Sequence, residues 1–138
     1  MDYPTIVNLR PWVTSPLYRI LTAFPIACFS LTALTDLAYV RTENVLWLRF
    51  SEWLLVAGLV FGALAAVVLL VICVMYRTGP GWLSVLAGLV VLLLAMLNSF
   101  IHTADGWTAV MPYGLATSIA TVLAMIATGF LGRRRAHV

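Results

Sequence analysis

Four long apolar stretches, separated by short polar breaks, constrain this chain more than any other feature. They lie at roughly residues 17–40, 51–76, 80–102 and 109–132. Each reaches the about 20 mostly apolar residues that a helix needs to cross the hydrocarbon of a bilayer. In lipid a backbone must satisfy its own amides and carbonyls, so runs of this length become helices. The breaks are short enough to make sequential helices antiparallel neighbours. The expected fold is all-α: an integral membrane four-helix bundle, up-down-up-down, forming one domain over residues 1–138, with an arm at 1–16 and a basic tail at 133–138.

Composition agrees with that reading. Hydrophobic residues make up 63% of the chain and charged residues 9%, and mean hydropathy is +1.04, far from the soluble balance of about 45–50% apolar and 25% charged. Membrane lipids are the expected surroundings. The net charge of +3 comes largely from Arg133, Arg134 and Arg135, which reads as a signal of orientation and not as affinity for nucleic acid. Cys28 and Cys73 fall inside apolar runs, where thiols pack as small hydrophobes, and no metal-type spacing is present. The first apolar run is longer than the 7–15 residues, roughly, of a signal-peptide core, so it is expected to be a true span.

Arginines set the expected orientation, because cytoplasmic loops are enriched in basic residues. With four spans, the termini and the Gly79-Pro80-Gly81 turn share a side. That side holds Arg10, Arg19, Arg77, Arg133, Arg134 and Arg135, against Arg41 and Arg49 on the other. The expectation is a bacterial inner-membrane protein with both termini cytoplasmic. Four acids, Asp36, Glu43, Glu52 and Asp105, then map to the outer side.

Helical periodicity indicates which faces meet. At about 100° per residue, Thr22, Pro25, Phe29, Thr32 and Asp36 form one stripe, so proline and aspartate share a face. Against lipid, the carbonyl freed by Pro25 would stay unpaired, so this face is expected to turn toward other helices. The fourth span repeats the pattern with Gly114, Ser118, Thr121, Met125, Thr128 and Gly132. In the second, Gly58, Gly62 and Ala66 form a ridge of small residues that lets backbones approach. On the third, Asn98, His102 and Asp105 share a face near the outer end.

The bundle therefore collects Asp36, Glu52, Asn98, His102 and Asp105 toward one membrane surface. Intramembrane ionisable groups are candidates for a cation, proton or small-ligand site. The plainer reading is that they cap helix ends and pair with Arg41 and Arg49. Haem through paired imidazoles is disfavoured, since the second histidine, His137, lies in the tail on the opposite side; a His–Met pair with Met96 or Met125 would be needed. No cofactor is expected, and no nucleotide loop, His-Glu-x-x-His motif or nucleophile with a nearby base is present.

The stretches FPIACFSLTALTDLAY, FSEWLLVAGLVFGALAA and IHTADGWTAVMPYGLATSIATVLAMIATGFLG resemble the bacterial four-span family known as domain of unknown function 2231. Phe24-Pro25-Ile26, Asp36, Trp53, Gly58, His102, Asp105, Trp107, Pro112 and Gly114 carry the resemblance, over nearly the whole chain. It implies a membrane bundle and no agreed activity. Many members have a histidine before the Phe-Pro-Ile motif, a His-Pro pair upstream and an acid late in the second span; here those places hold Ala23, Ser15-Pro16 and Ile72. Of the family's polar positions, Asp36 and His102 carry over.

The function expected from these features is non-enzymatic. The chain would be an anchor or accessory subunit presenting its acidic outer surface to a periplasmic or membrane partner. The alternative is a redox-associated (haem or quinone) or proton- or ion-conducting module that uses Asp36 and His102.

Overall fold

The computed structural model describes residues 16–76, 82–103 and 110–134. Helix α1 spans Pro16–Thr42, α2 Val45–Tyr76 and α3 Trp82–Thr103; a π-helical turn, Val110–Gly114, leads into α4, Leu115–Arg134. No strand occurs among these residues, and all four helices are long and apolar enough to cross a membrane. Each helix packs beside two others, in the order α1–α2–α3–α4 and back to α1. The ring is the expected up-down-up-down bundle, and α1 and α3 face each other across its centre. Expectations placed on the N-terminal arm, the Gly79-Pro80-Gly81 turn, Asp105, Trp107 and the tail after residue 134 lie outside the described residues.

The first link is much shorter than the sequence suggests. Helix α2 begins at Val45 and not near residue 51, so only Glu43 and Asn44 separate it from α1. Glu43 reverses the chain in the left-handed region, with φ of 52°, while its amide still bonds the Tyr39 carbonyl at 2.7 Å. Asn44 then caps α2: its Oδ1 accepts the Leu46 amide at 3.0 Å, satisfying one of the donors that a helix start leaves open. Arg41 and Arg49 stay exposed. Charges that remain in water do not interrupt a helix running past the hydrocarbon.

The faces meet much as the periodicity predicts. Pro25, Cys28, Phe29, Thr32 and Asp36 are the buried residues of α1, and Gly114, Ser118 and Thr121 are buried along the π turn and α4. Phe29, Leu55, Val91 and Ala95 form an apolar layer, with Leu59, Ala124 and Met125 packed against it. One member of the small-residue ridge is corrected. Gly58 and Gly62 are buried, but Ala66 is exposed and Ala65 takes the inward place. Two steps of four residues rotate a side chain by about 80° around the helix, whereas a step of four followed by three returns it to within about 20°.

At Gly58 the helices touch. A Cβ there would lie 2.5 Å from Phe29 Cε1 and 3.1 Å from Cys28 Cβ. At Gly62 it would meet the tip of Leu92 at 2.7 Å and Pro25 at 3.8 Å. Burying apolar surface gives helices little drive to associate inside lipid, so such close approach supplies dispersion contacts instead.

Candidate functional site

Above the Phe29 layer the core turns polar. Asp36 lies six residues before the end of α1, Ser51 six residues after the start of α2, His102 at the end of α3, and Ser118 near the start of α4. Antiparallel packing brings these four positions to one level, at the end of the bundle where α1 turns into α2. Trp47, Phe50 and Trp53 on α2, Phe100 on α3 and Tyr113 all point outward around that end, and such a ring of aromatic side chains marks the membrane–water boundary. The polar level is therefore near the interface in depth, where a charge costs less than at mid-bilayer. It is nevertheless shielded from water, because Asp36 and Ser51 are each 0% exposed and His102 is 4% exposed.

The Asp36 carboxylate is the node. Oδ1 accepts from the Ser51 hydroxyl at 2.5 Å and faces His102 Nε2 at 2.9 Å. Oδ2 accepts from the Ser118 hydroxyl at 2.5 Å. One side chain on α1 thus meets a partner from each of the other three helices, and its bond to His102 crosses the centre of the ring. Charge-assisted bonds of this kind are roughly twice as strong as neutral ones.

Asn98 holds two of those partners in place. Its backbone carbonyl faces His102 Nδ1 at 2.9 Å, its side-chain amide donates to Ser118 Oγ at 2.7 Å, and its Oδ1 accepts from Thr117 at 2.5 Å. Thr35 adds an outer bond, 2.7 Å from Ser51 Oγ. Among the described residues no buried side-chain nitrogen or oxygen is left without a partner. A fully connected network is the condition under which buried polar groups fix one structure instead of weakening it.

The structure brings together Asp36, Asn98 and His102, with Ser118, which periodicity marks only as a packing residue. Glu52 is half-buried. It lies within Coulombic reach of His102 and stands outside the hydrogen-bonded cluster. Pairing of Asp36 with Arg41, or of the cluster with Arg49, does not occur; both arginines are exposed, and the one ion pair among the described residues joins Asp36 to His102. The reason is rotational. Arg41 is five residues beyond Asp36, so it points to the far side of α1.

Ser51, Thr35 and Thr117 escape the sequence reading. Hydropathy makes Ser51 the first residue of its span, yet it continues the buried stripe Leu48, Ser51, Leu55, Gly58, Gly62 and Ala65. Extending that stripe toward the N-terminus would have found it.

Among known families, the one described as "Predicted membrane protein (DUF2231)" matches residues 14–138. No curated protein matches, and no solved structure does.

Proposed function

Because the chain belongs to this DUF2231 family of predicted membrane proteins, a description that assigns no activity, we propose from the site itself that it is a non-enzymatic membrane bundle. It serves as an anchor or accessory subunit whose fastened end is presented to a periplasmic or membrane partner. The observation that carries this reading is the Asp36 carboxylate, engaged by hydroxyls from two helices and an imidazole from a third with no exposed surface. A carboxylate so occupied has no free oxygen to offer a ligand, and its effect is to fix how four helices stand relative to one another. The two ring nitrogens of His102 are engaged as well, so haem or metal ligation through either would cost the cluster a bond.

Conduction is the rival reading, and the layer beneath the cluster weighs against it. Phe29, Leu55, Val91 and Ala95 fill the centre there, and an apolar plug offers a proton or cation no hydrogen-bonded path. One preparation separates the two readings. Purified in mild detergent, the protein should carry a second polypeptide in fixed ratio, and after reconstitution into vesicles it should pass no more protons than empty vesicles do. A chain that emerges alone and monomeric removes the anchor reading. Proton flux abolished by Asp36→Asn establishes conduction.

The arginine asymmetry supports placement in a bacterial inner membrane with both termini cytoplasmic and the Asp36 end outward. An alkaline phosphatase fused after Val138 should accordingly be inactive, and an active fusion would invert the orientation.

A further inference from the structure

His102 sits between two oxygen atoms. Nδ1 is 2.9 Å from the Asn98 carbonyl and Nε2 is 2.9 Å from Asp36 Oδ1. A carbonyl oxygen can only accept, so Nδ1 must carry a hydrogen. The Nε2···Oδ1 contact then needs a hydrogen of its own, borne either by an imidazolium donating to a carboxylate or by a carboxylic acid donating to a neutral imidazole. Both arrangements have the same proton count and the same net charge of zero. With one proton fewer, a ring nitrogen lone pair faces an oxygen lone pair at 2.9 Å whichever tautomer forms, and one of the two contacts must break.

A further proton would have to take a remaining lone pair of the carboxylate, with no acceptor of its own in the cluster. Oδ1 also takes the Ser51 hydroxyl and Oδ2 takes the Ser118 hydroxyl, while Ser118 Oγ is already occupied by the Asn98 amide. We propose that the Asp36–His102 pair is a single-proton site: the cluster keeps all its bonds only while this proton is bound, and its release costs His102 either its bond to Asp36 or its bond to Asn98. This rests on the reading of the cluster as a fastening.

Among the described residues, the charged groups around the pair are few. From α1 there is Asp36 itself, and from α2 Glu52, half-buried and within Coulombic reach of His102. Ser118 and Thr117 of α4 bring no charge, and Arg41 and Arg49 are exposed. Because α1 and α3 stand diagonally in the ring, the imidazole bridge is what couples them at this end. Losing the Asp36 bond leaves the side-by-side pairs intact and loosens the diagonal, whereas losing the Asn98 bond leaves the ring held at one nitrogen only.

The sign follows from linkage. The folded bundle binds a proton that the unfolded chain has released on the alkaline side, so stability falls as pH rises, by up to a factor of ten in the folding equilibrium per pH unit while one proton separates the two states. The full-length protein in detergent is unfolded by denaturant at a series of pH values, alongside His102→Gln. Wild type should show a one-proton slope that His102→Gln lacks. In specifically labelled wild type, the 15N signals of His102 should change over the same range, which holds even if His102→Gln fails to fold. A wild-type stability flat across that range, or His102 signals that never change together with it, overturns the single-proton site. If Asp36→Ala still destabilises in that case, the fastening survives and only the proton is lost.

Discussion

Asp36→Ala should lower unfolding stability more than any other single truncation in the polar level, by about 2–5 kcal/mol measured by denaturant titration in detergent. The floor comes from intramembrane hydrogen bonds, which average about 0.6 kcal/mol and reach about 1.7; Asp36 takes part in three. The ceiling comes from what is left behind, since removing one member of a buried ion pair costs about 3–5 kcal/mol by stranding the other. After truncation His102, Ser51 and Ser118 would face a void with their donors still in place. Asp36→Leu combined with His102→Leu should therefore recover part of the loss, because the imidazole is no longer stranded and the void is filled, while the Ser51 and Ser118 hydroxyls still lack their acceptor. A cycle in which the two losses simply add would show that the pair is not coupled, and the account of the cluster as a fastening would fail with it.

Gly58→Ala should be the most damaging change in the apolar part, at about 1–3 kcal/mol, the usual cost of overpacking a filled core. The added methyl would lie 2.5 Å from a ring carbon of Phe29. Phe29 is 2% exposed and belongs to the central layer with Leu55, Val91 and Ala95, so it has nowhere to swing. Helices α1 and α2 would have to separate along their contact. Gly62→Ala is the control. There the methyl meets the end of Leu92 at 2.7 Å and Pro25 only at 3.8 Å, and a leucine tip can change rotamer. The expected ranking is a large loss at Gly58 and a small one at Gly62; equal losses would mean that the Phe29 ring yields as easily as the leucine tip.

The same geometry explains which parts of the site were legible beforehand. Pro25 and Asp36 could be assigned to an inward face because lipid tolerates neither an unpaired carbonyl nor a charge, and that constraint acts on each helix separately. Asn98 and His102 fell on one face for the same reason. Ala66 turns outward because an extended four-residue step drifts around a helix, and Ser51 is hidden from hydropathy because the charges at Arg41, Glu43 and Arg49 resemble a loop where the structure has helix. Arg41 looked like the partner of Asp36 because it is near in sequence, but proximity along a helix counts only at spacings of three and four.

What the chain determines by itself is local: hydrophobic runs long enough to span a bilayer, and a side-chain period that fixes which stripe of each helix avoids lipid. Those follow from backbone hydrogen bonding in a medium without water, whatever the neighbours are. What only the tertiary structure decides is the axial register and rotation of one helix against the next. Shifting α3 by a single turn would carry His102 about 5.4 Å from Asp36, leaving the hydropathy of every helix unchanged and the cluster without its centre. The meeting of Asp36 with Ser51, His102 and Ser118 is a property of packing, set by close approaches such as Gly58 on Phe29, and no helix encodes it alone.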